Sequence, residues 1–315
     1  YNQSESQFKT TKFGLYNVGG AQREVVSFSL SKLFNDGDSS LTFGYTHQNI
    51  DMICSMQSST SHSNYGKCPA SDFNNRVATR SIYETEHRFF ATLSSTHYFF
   101  GADKPTTFNL FLERKSGLPG TLTFDTYSSP GRYKTQAFGY ERRVNDDSAH
   151  LLYIPSGLDD PLVCWVSCSN PNNAVGSEIL NLLYNTYGLE RFKGRILPPG
   201  VFEFPWQTSL DLKITQILPG FRDDDGFVVT LGIENLLNLI DDEEGVIRYG
   251  DYTGKIDVFD FQLTSDYSKY IFGNSRGADY AFRYNPSNPY ELRKSAVNSI
   301  WRAQLGVTYK FSLSF

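Results

Sequence analysis

The stretch "SIWRAQLGVTYKFSLSF" (Ser299–Phe315) alternates between apolar and polar side chains. Apolar or aromatic residues occupy every second position from Trp301 to Phe315, with Arg, Gln, Gly, Thr, Lys and Ser between them. Because successive side chains of a β-strand point to opposite faces, the pattern predicts a strand with one apolar and one polar side. At ~3.3 Å per residue this strand would be roughly 50 Å long, and a tilt near 45° would leave about 35 Å of height. That is enough to cross a bilayer.

Six further segments show the same alternation. Charged residues such as Asp211, Lys213 and Glu234 face away from the apolar side in mid-strand. In a soluble β-sandwich these residues would simply face solvent, but a sandwich does not need strands of this length. The pattern therefore favours an all-β fold, a transmembrane antiparallel β-barrel. The residues expected to face lipid are Leu210, Leu212, Ile214, Val229, Leu231, Leu305 and Val307.

The connections between the predicted strands are of two kinds. Short ones read "NDGD" (Asn35–Asp38), "GADKP" (Gly101–Pro105) and "PGFRDDDG" (Pro219–Gly226). Long ones cover residues 51–81, 117–205 and 238–298. Short turns at one end and long loops at the other are typical of outer-membrane barrels, where they are periplasmic and extracellular. We expect the cysteine-bearing long loops to lack a core of their own.

Composition excludes several classes of protein. The net charge of −5 argues against a nucleic-acid partner, which would call for clustered Lys and Arg. No uninterrupted apolar run approaches the roughly 18–20 residues that a membrane helix needs. Only 39% of residues are hydrophobic, which a barrel tolerates because its strands are apolar at alternate positions.

Four cysteines form two local pairs, Cys54 with Cys68 and Cys164 with Cys168, which predicts two disulfides in an oxidising compartment. A zinc site that includes His62 is the alternative, but its spacing matches no zinc module. The acidic run 241–244 could bind Ca²⁺, but it lacks EF-hand spacing, so a solvated loop is the favoured interpretation. No cofactor and no metal site are predicted.

The residues Gln304, Gly306, Tyr309 and Phe311 fit the order polar, x, Gly, x, x, aromatic, x, apolar. Together with Phe315 they resemble the β-signal by which the barrel assembly machinery recognises outer-membrane barrels. An aromatic ring at the end of a last strand suits the membrane interface.

The number of predicted strands is odd. Seven strands cannot close an antiparallel barrel, which needs an even number. One explanation is a missed strand in "GKIDVFDFQL" (Gly254–Leu263) or "DYAFRYN" (Asp279–Asn285). We favour the other, in which residues 1–315 are the C-terminal segment of one larger barrel domain.

From Tyr83 onward six stretches resemble the C-terminal barrel of Oar-like TonB-dependent outer-membrane receptors. They are "YETEHRFFATLS", "TTFNLFLERKSGLPGTLTF", "LLYIPSGLDDP", "LERFKGRILPPG", "PWQTSLDLKITQILPGF" and "LGIENLLNLIDDEEG". The resemblance implies a barrel of about twenty-two strands, with a plug and a TonB-binding segment upstream. It also implies a Gram-negative outer membrane, the TonB energy-coupling complex as partner, and a bulky substrate.

The function expected from this resemblance is active passage of that substrate across the outer membrane. Substrate contacts are expected in the aromatic and charged stretches 131–143 and 248–272. The alternatives are a self-contained outer-membrane barrel acting as a protease or lipase, a passive porin, or an adhesin. An enzyme is not expected, because GxSxG and HExxH are absent and the five histidines are scattered: His47, His62, His87, His97 and His150.

Overall fold

The computed structural model describes residues 17–54, 59, 64, 68–70, 75–125, 151–165, 171–222, 224–249, 255–262, 280–283 and 293–311. The secondary structure is mostly β. The strands are β1 Gln22–Phe34, β2 Ser39–Met52, β3 Thr79–Arg80, β4 His87–His97, β5 Thr106–Lys115, β6 Pro119–Asp125, β7 Tyr153–Ile154, β8 Val163–Trp165, β9 Arg195–Ile196, β10 Phe202–Glu203, β11 Gln207–Pro219, β12 Gly226–Glu234, β13 Arg248–Tyr249, β14 Lys255–Gln262, β15 Tyr280–Arg283, β16 Arg293–Lys294 and β17 Arg302–Lys310.

The helices are short. They are α1 Asn173–Asn181, α2 Leu236–Ile240 and α3 Ala296–Ser299, with a π-helical turn at Leu182–Thr186 and 3₁₀ turns at Asn35–Gly37 and Glu190–Phe192. Within the described part of the chain, no helix has both the length and the apolarity to cross a membrane.

The main sheet has the strand order β1–β2–β4–β5–β11–β12–β17, and the short β3 pairs with the end of β2. Every pairing in it is antiparallel. The seven predicted strands are confirmed as β1, β2, β4, β5, β11, β12 and β17, and the three short connections join β1 to β2, β4 to β5 and β11 to β12. Among the described residues β1 pairs only with β2 and β17 only with β12, so the sheet is not closed.

The last strand is shorter than predicted. β17 has 9 residues and ends at Lys310, so Phe311 lies beyond it. Residues 312–315 are not among the residues that the structure describes. Nine residues at ~3.3 Å each give about 30 Å instead of roughly 50 Å. Of the strands in the described part of the chain, β2 is the longest, with 14 residues.

The three predicted turns are confirmed, and all lie at one end of the main sheet. In the first, Asn35 and Asp36 have φ of 53° and 52°, a region that Asn and Asp tolerate better than most residues. Neighbouring turns contact each other, since Tyr98 Oη donates to Asp38 Oδ1 at 3.2 Å. The long connections lie at the opposite end, here called the rim.

A second sheet has the order β10–β6–β14–β15–β8. It is mixed: β6 with β14 and β15 with β8 are parallel, and the other two pairs are antiparallel. Both stretches considered as a missed strand are strands, β14 and β15. They join this second sheet, so the main sheet keeps seven long strands.

The buried core lies in the connection between β5 and β11, here called the loop unit (residues 117–205). The expectation that this loop lacks a core is therefore wrong. Helix α1 packs Ile179 and Leu180 inward, and its Gly176 leaves room for the Trp165 ring, to which an added Cβ would come within 2.6 Å. The core residues are Leu122, Leu152, Tyr153, Ile154, Val163, Trp165, Ile179, Leu180, Leu183, Leu189, Leu197 and Phe204.

Candidate functional site

One face of the main sheet is apolar from β2 to β17, while on β1 the position opposite Leu41 is Lys32. Residues opposite each other on paired strands share a face, and the register aligns one unbroken apolar row across six strands. A second row joins Phe108, Ile214, Leu231 and Leu305. The six-strand row is Leu41, Leu93, Leu110, Leu212, Ile233 and Ala303.

The residues predicted to face lipid all lie on this apolar face. Leu210 pairs with Leu112, and Val229 pairs with Val307. The side chains near the sheet edges are exposed, with Leu305 69% and Phe28 57% accessible. None of the apolar-face residues belongs to the buried core.

Aromatic rings cluster at both ends of the apolar face. At the turn end, Phe227 contacts Phe221 and Tyr309, with ring centroids 5.4 and 4.7 Å away. At the rim end, Trp206 stacks on Phe89 at 6.3 Å.

Aromatic side chains also flank β17 at both of its ends. Trp301 and Phe311 lie near opposite ends of β17 on the same face, ten residues apart. Ten residues at ~3.3 Å each place these two rings about 33 Å apart along the strand.

The opposite face is polar. Hydroxyl pairs hydrogen-bond across strands, such as Ser31 with Thr42 at 3.0 Å. Ion pairs join Arg88 to Glu113 at 2.7 Å and Arg302 to Glu234 at 3.1 Å. A groove of ≈ 510 Å³ runs along this face, and its polar lining includes Asn109, Asp211, Lys213, Glu234 and Gln304.

The predicted assembly signal lies on β17, at an edge of the main sheet. Gln304 and Gly306 pair with Gly232 and Thr230 on the polar face. Tyr309 and Phe311 lie on the apolar face, with ring centroids 6.1 Å apart. The motif is thus divided between the faces, and Phe315 lies outside the described residues.

The disulfide between Cys54 and Cys68 is confirmed, with Cα atoms 5.6 Å apart. It uses both sulfur atoms, so a zinc site built on this cysteine pair is wrong. His62 and Cys168 lie outside the described residues, as does the side chain of Cys164. The second disulfide stays a prediction.

At the rim, Arg80 binds three carboxylates that the sequence analysis did not single out. Its guanidinium contacts Glu84 at 2.5 Å, Glu86 at 2.6 Å and Glu203 at 2.7 Å. Glu84 is buried and accepts a hydrogen bond from Ile50 N at 2.6 Å. Burial lowers the pKa of Arg80, but hydrogen bonds to Glu203 and Glu84 outweigh it and leave the pKa above its ordinary value. Because Arg80 and Glu203 are 123 residues apart, no local pattern predicts the contact.

The predicted substrate loops are only partly described. Stretch 131–143 lies outside the described residues, and stretch 248–272 is described at β13 and β14. The acidic run 241–244 forms an exposed turn. Asn238 Nδ2 donates to the carbonyls of Asp242 and Glu244 at 3.1 Å each, so the amide closes this turn.

Comparison of the chain with protein-family models, with curated proteins and with solved structures finds no match in any of the three. The likeness to Oar-like receptors therefore stays a prediction from the sequence. The features that bear on function are the two faces of the main sheet, its aromatic ends and the rim.

Proposed function

We propose that this chain forms the C-terminal part of the barrel of a TonB-dependent receptor, which moves a bulky substrate across the outer membrane of a Gram-negative bacterium. The observation that supports this most is the unbroken apolar row across six strands, on a face opposite a polar one.

A soluble protein would cover such a face with a second layer of structure. Here the buried core lies in the loop unit and contains none of the apolar-face residues. Exposed apolar patches beyond a few hundred Å² are rare in soluble monomers and mark interaction with a membrane or another protein. Contact with lipid would bury the apolar face, and a water-filled lumen would solvate the polar face.

The groove on the polar face and the open sheet fit a portion of a wide barrel. A barrel of about twenty-two strands encloses a lumen that needs a plug, which is the arrangement implied by the sequence resemblance. The loop unit supplies a folded surface at the rim, where a bulky substrate would first contact the receptor. Coupling to the TonB complex would pass through the upstream plug.

Membrane insertion is tested with the full protein, refolded with and without lipid vesicles. We expect a folded, protease-resistant barrel only in the presence of lipid or detergent. A folded monomer in plain buffer would refute the proposal.

The transport mechanism needs a separate measurement. In planar bilayers, a plugged receptor is expected to be closed, whereas a passive porin would conduct steadily. The purified full protein should also bind the periplasmic domain of TonB. A steady conductance without TonB binding would contradict the receptor hypothesis and favour a passive porin.

A further inference from the structure

Two histidines and a glutamate converge at the rim end of β2 and β4. His47 and His87 are directly paired across the two strands, with ring centroids 5.2 Å apart. A ring nitrogen of each histidine and a carboxylate oxygen of Glu86 all lie within 4.8 Å of one another. We propose that His47, Glu86 and His87 form a binding site for a divalent transition-metal ion, with Zn²⁺ the ion they suit best.

The distance between the His87 and Glu86 ligand atoms matches a zinc site, and His47 lies close enough to complete it with a small side-chain shift. His87 Nε2 and Glu86 Oε1 are 3.4 Å apart. In a tetrahedral site with bonds of about 2.0–2.1 Å, two ligand atoms lie about 3.3–3.4 Å apart. Two imidazoles and one carboxylate form a known zinc ligand set that leaves the fourth position open.

The outer partners of these side chains orient them as metal ligands. His47 Nδ1 lies 3.1 Å from the carbonyl oxygen of Glu86. Since a carbonyl can only accept, Nδ1 carries the proton, and the lone pair of a neutral ring is then on Nε2. His87 Nδ1 hydrogen-bonds Tyr45 Oη at 2.9 Å, which leaves its Nε2 directed at Glu86. Arg80 holds the other oxygen of Glu86 at 2.6 Å. Partners of this kind accompany most metal-ligating histidines and carboxylates.

The local charge also favours a divalent cation. Arg80 carries +1, and the three carboxylates it contacts, on Glu84, Glu86 and Glu203, carry −3. The set therefore has a formal charge of −2, which one divalent ion would offset.

The site lies on the apolar face of the main sheet, at its rim end. His47 is paired with Val26, and the His87 ring stacks on Trp206 with centroids 6.1 Å apart. All three ligand side chains are partly exposed, so the open coordination position is accessible to water or an external ligand. A bound ion would join β2, β4 and the residue before β4.

The test uses the full protein purified in detergent and stripped of metal with EDTA. Zn²⁺ is titrated in competition with a chromophoric chelator at neutral pH. We expect the His47→Ala and His87→Ala variants each to bind one Zn²⁺ fewer than wild type. Co²⁺ should give the strong visible absorption of a four-coordinate site in wild type and lose it in both variants.

The matched control is His97→Ala. His97 lies on the same face of β4 at its turn end, where it hydrogen-bonds Ser95 Oγ at 2.9 Å. This variant should bind as much Zn²⁺ as wild type. His47→Gln keeps a donor toward the Glu86 carbonyl but removes the imidazole, so it provides the measurement if His47→Ala does not fold. Equal Zn²⁺ binding by wild type and His47→Gln would overturn the site, as would a loss that His97→Ala shares.

Discussion

At the scale of single residues, Asp160 organises the turn between β7 and β8 within the loop unit. It is 5% exposed, and its carboxylate accepts from Tyr153 Oη at 3.0 Å, from Ser156 N at 2.6 Å and from Leu162 N at 2.9 Å. Burial raises the pKa of Asp160, but these hydrogen bonds outweigh it and leave the pKa below its ordinary value. The charged form is therefore the one that stabilises the fold.

We expect Asp160→Asn to destabilise the loop unit by about 1–3 kcal/mol near neutral pH, because an amide nitrogen cannot accept these bonds. A carboxyl with a lowered folded pKa stabilises the protein above the unfolded pKa of about 3.9 and loses that contribution as the pH falls. The difference between wild type and variant should therefore shrink near pH 3. For each protein we would measure the urea concentration at which a protease begins to cut within residues 151–204, and the shift between wild type and variant reports the difference in stability.

Asp159→Asn is the control for this variant. Asp159 is adjacent but exposed, so its substitution should change the urea concentration needed for cleavage very little. A similar loss in both variants would show that net charge, rather than the hydrogen bonds of Asp160, stabilises the loop unit.

Gly44 gives a second test at this scale. A Cβ added to Gly44 would lie 2.1 Å from the ring of Phe90 on the neighbouring strand. We expect Gly44→Ala to destabilise the folded sheet by about 1–3 kcal/mol, as overpacking usually does. Gly232→Ala is the control, because no atom lies within 4 Å of its added Cβ. Urea unfolding in lipid vesicles measures both, and an equal effect would point to strand propensity instead.

At the scale of elements, the two faces of β11 should respond differently to charge. Leu212 lies in the six-strand apolar row, and Lys213, the next residue along the strand, lies on the opposite, polar face. An Arg facing lipid at mid-membrane costs about 2–4 kcal/mol, so Leu212→Arg should greatly reduce the folded protein in the outer membrane. Lys213→Gln should leave it unchanged. Equal tolerance at both positions would contradict the assignment of the faces.

Alternation of period two predicts the long strands because each has one apolar face. Within Gln207–Pro219 the pattern is strict from Ser209 to Thr215, and that stretch is enough to indicate a strand. Strands of two or three residues, such as Tyr153–Ile154, are too short to show any period. Helix Asn173–Asn181 buries residues such as Ile179 that are spaced for a helix within a stretch taken for an irregular loop. The core of the loop unit was therefore missed.

The rim site was missed for a related reason. The contact of Arg80 with Glu203 and the pairing of His47 with His87 depend on tertiary structure and register. Scattered histidines in the sequence give no metal-binding pattern. The only local hint is the Glu86–His87 pair at the start of β4, a sequence too common to be informative.

At the scale of the whole molecule, the sheet and the loop unit have separate sources of stability. Trp165 is 2% exposed in the core of the loop unit, and its Nε1 donates to Leu158 O at 2.8 Å. Replacing a buried Trp by Ala costs about 3–5 kcal/mol. We expect Trp165→Ala to open the loop unit to proteases while the sheet remains inserted. Exposed Ile196, changed to Ala, is the control.

The readout is the protease cleavage pattern of the protein in membranes. Cuts within residues 151–204 should appear in Trp165→Ala and not in Ile196→Ala, with the membrane-protected fragments equal in both. Loss of those fragments in Trp165→Ala would show that the sheet depends on the loop unit.

The pairing of β6 with β10 also bears on the order of folding. Pro119 pairs with Glu203 and Gly120 with Phe202, so the loop unit begins and ends at adjacent positions. Gly117 permits this close approach, since an added Cβ would lie 1.9 Å from the carbonyl oxygen of Phe204. Bringing β5 beside β11 across an unfolded connection of roughly 90 residues costs about 2 kcal/mol more in chain entropy than closing one of about six. If the loop unit folds first, it holds the ends of β5 and β11 together. The β4–β5 and β11–β12 hairpins can then pair without this additional entropy cost.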